Sequence, residues 1–183
     1  MPIIERRIVI PASPDRVWEV LSDVPAQPKW MRDLKAIRFV APSGSPTAPP
    51  PDLLRAGVGT RAVGTVRMFG LEQSDPVEID AFDPPRHFGL RHLGRFTGRG
   101  DFWLTPVHDG TATLVHWREE LLSPAVRLGR FGRLVDGLFA PLFELVFRED
   151  LRRLCQLVVV SDGRAAGTPR RARPTAAPGA GPG

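Results

Sequence analysis

The sequence predicts an α+β fold in which a curved antiparallel sheet of about seven strands packs against a long C-terminal helix. Two patterns support this prediction. Between residues 59 and 121, apolar segments alternate with short turn signals, as in a meander of antiparallel strands. From Ser123 to Val160 the apolar residues instead recur at the spacing of a helix face, which can cover one side of such a sheet.

The first part of the chain is expected to supply two strands with two short helices between them. Ser13 offers an N-cap hydroxyl and Pro14 suits the first helical position. Asp15 places a negative charge at the positive end of the helix dipole. The expected elements are the strand Ile3–Ile10, the helix Pro14–Ser22, a short helix or turn at Ala26–Met31 and the strand Leu34–Val40.

The other strands come after a Pro-rich insertion at residues 41–57, which is too long for a tight hairpin and too polar for a regular element. Turn signals at Gly70, Asp83-Pro84-Pro85, Gly94 and Asp109-Gly110 divide the next part of the chain. The resulting strands are Gly59–Phe69, Asp75–Phe82, Arg86–Leu93, Phe96–Pro106 and Thr111–Leu121.

The closing helix is expected to have a weak first half. Pro141 has no N–H to donate to the carbonyl of Gly137, so we expect the helix to be interrupted there and its first half to be kinked or mobile. The segment Leu142–Val160 is the stronger part, because its apolar positions continue without a proline or glycine.

The order of residues near the N-terminus resembles a known superfamily. A strand leads into Ala12-Ser13-Pro14, then Val17-Trp18, a helix ending in Ser22-Asp23, and Pro28-x-Trp30. This order resembles the START-like (SRPBCC) superfamily, which includes Bet v 1-like proteins and the polyketide cyclase/dehydrase-like family. The resemblance extends from about Ile3 to Val160. It implies a helix-grip fold, in which the sheet and the long helix enclose a hydrophobic cavity.

Composition indicates one folded domain at residues 1–162 and a disordered tail at residues 163–183, and the resemblance implies that this domain binds a ligand. The chain of 183 residues is 42% hydrophobic, which provides a sizeable core, whereas the tail is rich in Pro, Gly, Ala and Arg. The tail holds four of the 25 basic residues and none of the 20 acidic ones, so the domain has a net charge near +1. We therefore expect no specific binding of nucleic acid.

Cysteine content and hydropathy favour a cytoplasmic protein. Cys155 is the single cysteine, which excludes an internal disulfide and a Cys-rich zinc site. The N-terminus enters a strand without the pattern of a signal peptide, and no apolar run is long enough to cross a bilayer. We expect a monomer or weak dimer that has no cofactor or metal and contacts membranes at most transiently.

Strand register can be inferred from the turn at Asp109-Gly110. If these residues are the centre of a type I′ hairpin, Trp103 lies opposite His116, Asp101 opposite Arg118 and Arg99 opposite Glu120 on the outer face. The alternate residues then form an apolar inner face toward the long helix. This inner face contains Gly98, Gly100, Phe102, Leu104, Thr113, Val115, Trp117 and Glu119, and in earlier strands Ala62, Gly64, Val66, Met68, Val77, Ile79 and Ala81.

Small residues on this inner face predict an internal ligand site. Gly and Ala opposite a helix rich in Leu and Phe leave volume that suits a flat or lipid-like molecule. An alternative is that the same residues fill an ordinary core and that the glycines mark bulges. The expected lining residues are Ala62, Gly64, Val66, Met68, Ile79, Phe88, Leu90, Gly98, Gly100, Phe102, Leu104, Val115 and Trp117 from the sheet, with Leu138, Leu142 and Leu145 from the helix.

Two residues, Glu119 and His92, are candidates for catalysis. Glu119 is inward by the register above, where it could act as an acid or base, lie at the cavity mouth or pair with an arginine. His92 also points inward if the loop around Gly94 has an odd number of residues. The leading hypothesis is a binding module for a lipid, quinone, fatty acid or polyketide intermediate. The alternatives are a polyketide cyclase or aromatase, and an interaction or stress scaffold with a filled cavity.

Overall fold

A computed structural model describes residues 3–41, 55–68, 71–122 and 130–166 of the chain. Its seven strands form one curved antiparallel sheet in the order β1-β7-β6-β5-β4-β3-β2. The strands are β1 (Ile3–Ile10), β2 (Leu34–Val40), β3 (Arg61–Met68), β4 (Leu71–Asp83), β5 (His87–Leu93), β6 (Thr97–Val107) and β7 (Ala112–Leu122). The helices are α1 (Pro14–Leu21), a 3₁₀ helix (Val24–Lys29) and α2 (Arg130–Ala166). The predicted helix-grip architecture is confirmed.

Helix α1 begins as the sequence predicts. The Ser13 hydroxyl accepts a hydrogen bond from the backbone N–H of Arg16, at 3.4 Å. Trp18 is buried on the face toward the sheet, where its ring meets Phe82 and Phe88 edge-on at centroid distances of 5.1 and 6.3 Å. The residues of the N-terminal signature therefore form part of the core.

The β6–β7 register is as predicted, and so is the centre of its turn. Trp103 pairs with His116, and the strands pair up to Val107 and Ala112. The loop therefore contains four residues, His108 to Thr111, rather than the two expected, and positive φ angles of 50°, 55° and 80° occur at His108, Asp109 and Gly110. The register is unchanged because the longer loop is symmetric about the same point, between Asp109 and Gly110.

Strand β4 differs from its prediction in two ways. It begins at Leu71, four residues before the expected Asp75. It also has an irregularity at Asp80, since Ile79 pairs with Leu90 but Ala81 pairs with Gly89. A bulge adds one residue and reverses the alternation of faces beyond it. Ala81 therefore lies on the outer face, and Phe82 occupies the inner position beside Phe88.

Helix α2 is continuous through Pro141, which we expected to interrupt it. Residues 123–129, where we expected its first turns, lie outside the described residues. Its buried side chains in the second half are Asp150, Leu151, Leu154 and Val158, and α2 packs against β1 and α1. Within the described residues, no helix combines the length and the hydropathy needed to span a membrane.

The predicted insertion and tail are described only at their ends. Residues 42–54 of the insertion and 167–183 of the tail lie outside the described residues. The first four residues of the predicted tail, 163–166, belong to α2.

Candidate functional site

An aromatic wall lies on the inner face of the sheet. Trp117 is 2% exposed and stacks on Phe102 at 4.8 Å and on Phe147 of α2 at 4.2 Å between ring centroids. Trp30, which comes directly after the 3₁₀ helix, meets Phe102 and Trp117 edge-on. These four residues are called the aromatic wall below. They place flat apolar surfaces between the sheet and α2.

A histidine and a carboxylate meet beside the aromatic wall. His92 Nε2 lies 2.9 Å from Glu119 Oε1, within hydrogen-bond distance. The other carboxylate oxygen, Oε2, accepts a hydrogen bond from the indole N–H of Trp117 at 3.0 Å. Glu119 is 7% exposed, so few water molecules compete for these contacts. The structure thus brings together both residues that the sequence marked as candidates for catalysis.

Loop length and strand order explain why His92 and Glu119 meet. The β5–β6 loop contains residues 94–96, an odd number, which directs His92 to the inner face as the prediction required. Glu119 pairs with Gly100 of the central strand β6. Its side chain reaches across β6 to His92 of β5 and passes over Gly100, where an added Cβ atom would overlap the carboxylate.

Burial and charge oppose each other at His92. Burial alone would lower the pKa of the imidazole, but the hydrogen bond to Glu119 and the negative charges of Glu119 and Asp75 raise it, and the net effect is a pKa above the ordinary value for histidine. Asp75 is held beside this site by the backbone N–H of Arg95, which donates to Oδ1 at 2.9 Å. His92 therefore keeps its proton to a higher pH than an ordinary histidine does.

Protein atoms lie beside the three glycines where we expected open volume for a ligand. The space beside Gly100 contains the Glu119 carboxylate, and a Cβ atom at Gly64 would contact the side chains of Leu34 and Ile37 at 3.4 and 3.9 Å. Gly98 has a φ of +143°, and a Cβ atom there would overlap the carbonyl oxygen of Glu120. Neighbouring side chains and backbone thus occupy the space that we had assigned to a ligand at these positions.

The other predicted lining residues fall into three groups. Most lie buried on the inner face, namely Ala62, Ile79, Phe88, Phe102, Leu104, Val115 and Trp117, with Val66 and Leu90 partly buried. Leu145 is 51% exposed, so most of its side chain does not face the sheet. The side chains of Met68, Leu138 and Leu142 lie outside the described residues.

Arg6 is an inner-face residue that the sequence analysis missed. It lies opposite Trp117 in the β1–β7 register, and its guanidinium is 2.6 Å from the carboxylate of Glu144 on α2. The alternation of Ile4, Arg6 and Ile8 along β1 was the signal that could have revealed it. The Arg6–Glu144 ion pair links the sheet edge to the helix.

A second histidine–carboxylate pair lies on the outer face. His87 Nε2 is 2.6 Å from Asp101, which is also bound by Arg99 at 2.9 Å. The residues predicted to lie opposite one another do so. The shortest ion pairs of Arg99 and Arg118 nevertheless run along their own strands, to Asp101 and Glu120, and their longer ones cross to Asp80 and Glu5. This network lies away from the aromatic wall, which makes the inner pair the better candidate site.

Two surface grooves lie away from the candidate site, and neither His92 nor Glu119 lines them. One, of about 710 Å³, lies between β2 and the segment joining α1 to the 3₁₀ helix, and the other, of about 470 Å³, lies between Lys29 and α2.

In the part of the chain that the structure describes, no three His, Cys, Asp or Glu side chains are grouped to hold a metal ion.

Residues 1–159 match the family model described as "Polyketide cyclase / dehydrase and lipid transport". The chain belongs to this family, within the START-like superfamily. The match covers the whole sheet and most of α2, including the His92–Glu119 pair. No curated protein sequence matches this chain.

Solved structures share the fold at low sequence identity. The Zhui aromatase/cyclase from Streptomyces sp. R1128 has a TM-score of 0.65 and 17% identity, covering 91% of this chain and 98% of that one. A protein from Thermus thermophilus has a TM-score of 0.65 and 21% identity, covering 87% and 99%. A START superfamily protein from Mycobacterium smegmatis has a TM-score of 0.56 and 13% identity, covering 90% and 98%. These similarities establish the fold.

Proposed function

We propose that this protein binds a small hydrophobic molecule, such as a lipid, a quinone or a polyketide, between the inner face of the sheet and α2. The observation that carries the proposal is the His92–Glu119 pair, with 2.9 Å between Nε2 and Oε1, at the side of an otherwise apolar aromatic wall. The wall supplies apolar contact area, and the pair supplies a hydrogen-bonding group that fixes the orientation of the ligand.

Family membership supports the same proposal, since the family description includes both lipid transport and polyketide cyclases. A carrier requires apolar walls and an entrance, whereas an enzyme also requires polar groups that converge on the bound molecule. We further propose that the protein works in the cytoplasm, as a monomer or weak dimer, to carry or sequester its ligand.

Ligand binding can be tested with an environment-sensitive hydrophobic dye and with native mass spectrometry of protein purified without detergent. We expect the dye to bind the folded protein and a copurified small molecule to displace it. Glu119→Gln should change the affinity for a purely apolar dye by less than about threefold, because the wall is intact. Glu120→Gln is the matched control, since this neighbouring residue lies on the outer face. Failure of the dye to bind native protein would favour a scaffold with a filled interior.

An acid–base enzyme is the second candidate, and the raised pKa of His92 favours it. A charged His92 could donate its proton to the hydroxyl group of a bound β-hydroxyketone while Glu119 holds the imidazole ring. The C–O bond breaks and water leaves, the α-carbon gives up a proton to solvent as the carbon–carbon double bond forms, and solvent then reprotonates His92. A phenyl-substituted β-hydroxyketone is a suitable probe, since its dehydration yields a conjugated ketone with a new absorbance band. If the protein catalyses this reaction, Glu119→Gln should retain binding and lose on the order of a hundredfold in rate. A carrier would show no turnover with either form.

A further inference from the structure

Trp30 has a buried indole N–H without a hydrogen-bond partner among the described residues. The residue is 0% exposed. Trp117 in the same aromatic wall donates its indole N–H to Glu119. Burying an unpaired donor is costly because it loses its hydrogen bond to water, so native structures rarely retain one without a reason. Trp30 was singled out in the sequence as part of the Pro28-x-Trp30 signature, and its packing role does not account for this N–H.

The position of Trp30 is fixed by its neighbours. Its ring centroid lies 6.2 Å from that of Phe102 and 6.4 Å from that of Trp117, with interplanar angles of 88° and 81°. Its backbone N–H donates to the carbonyl of Gln27 at 3.0 Å, and Gln27 is itself buried and bonded to the carbonyl of Leu21. The indole is thus held inside the wall by packing and by the 3₁₀ helix.

We infer that the Trp30 indole N–H is a recognition group for the ligand, an inference that rests on the proposed binding function. Trp117 contacts both Trp30 and Glu119, so a molecule lying on the wall can meet the Trp30 donor and the His92–Glu119 pair together. The ligand is then a planar molecule with a carbonyl oxygen that accepts from Trp30 and a second polar group directed to His92. A saturated chain with one polar end would leave the Trp30 donor unpaired.

Fluorenone and fluorene provide a matched pair of probes, because they have the same planar tricyclic skeleton and differ in one carbonyl oxygen. We expect Trp30→Phe to reduce the ratio of fluorenone to fluorene affinity by about fivefold to tenfold, the worth of one net hydrogen bond. Using the ratio cancels the difference in hydrophobicity between the probes. Trp103→Phe is the control, since Trp103 stacks on His87 at the outer face and should leave the ratio unchanged.

A second measurement avoids any substitution. In ¹⁵N-labelled protein, the indole N–H resonance of Trp30 should move downfield on adding fluorenone and remain nearly in place on adding fluorene. An unchanged affinity ratio in a folded Trp30→Phe variant, or an unmoved resonance, would overturn the inference and leave ligand binding intact. If neither probe binds the wild-type protein, the proposed function fails and this inference fails with it.

Discussion

Replacing Asp150 by asparagine should stabilise the protein increasingly as the pH rises. Asp150 lies on α2 and is 2% exposed, and its Oδ1 accepts the backbone N–H of Arg32 at 2.9 Å, just after Trp30. Burial raises the pKa of this carboxyl to about 6, the hydrogen bond from Arg32 opposes the rise, and the nearby charge of Asp33 adds to it. The carboxyl thus joins the helix to the segment that carries Trp30.

The size and sign of the effect can be worked out from the linkage between protonation and folding. The pKa rises from an ordinary 3.8 to about 6, and a difference of roughly two pKa units is worth about 3 kcal/mol. Because the folded pKa is the higher one, the stabilising contribution of neutral Asp150 is fully present below pH 3.8 and is lost as the pH rises through 6. Most of that loss, about 2 kcal/mol, occurs between about pH 4.5 and 7.5.

Asparagine retains an oxygen for the Arg32 N–H and cannot ionise. The free energy of unfolding of Asp150→Asn, minus that of wild type, should therefore grow by about 2 kcal/mol between about pH 4.5 and 7.5. This corresponds to a gain in Tm of roughly 4 to 8 °C relative to wild type. Taking the difference removes the contributions of groups that do not interact with Asp150.

Urea unfolding followed by tryptophan fluorescence, at several pH values in the same buffer series, measures this difference. Glu149→Gln is the matched control, because Glu149 is adjacent in sequence but partly exposed and paired with Arg153. Its difference from wild type should stay within about 0.5 kcal/mol at all these pH values. A difference for Asp150→Asn that is flat with pH, or that falls as the pH rises, would refute the reasoning about burial.

Two further predictions concern the sheet and the tail. Gly98→Ala should lower the free energy of unfolding by at least twice the roughly 1 to 2 kcal/mol expected for Gly110→Ala. Both glycines have a positive φ, but only Gly98 lies against the backbone of Glu120. Equal decreases in the free energy of unfolding of the two variants, measured by urea unfolding, would contradict the close contact between Gly98 and the Glu120 backbone. A chain ending at Ala166 should unfold within about 3 °C of the full chain, since the removed residues are poor in apolar side chains. A larger drop in Tm would mean that the tail packs on the domain.

Local sequence patterns determined much of the fold. The N-cap at Ser13, the turn signals and the strand alternation depend on residues near one another in the chain, so element order and most inner-face positions could be predicted. The β6–β7 register was right even though the loop has four residues instead of two, because both loops are symmetric about the same point. The bulge at Asp80 was missed, and Ala81 was placed on the wrong face, because bulges depend on the partner strand.

The candidate site was predictable only in part. Alternation placed Glu119 on the inner face, and an odd loop length around Gly94 would place His92 there, but nothing in the sequence stated that length. Their contact requires Glu119 to cross over Gly100 of the central strand. Sequence indicated a site with small residues, whereas the structure showed that a carboxylate occupies the space beside one of them.

The sequence by itself determined the family, the sheet with its covering helix and the apolar character of the inner face, because these depend on periodicity and short-range signals. Only the tertiary structure decided which groups meet on that face: His92 with Glu119, Arg6 with Glu144, and Asp150 with the backbone of Arg32. It also decided that the Trp30 N–H has no partner among the described residues. Residues distant in the chain form these contacts, and their energies depend on burial, which a linear sequence does not specify.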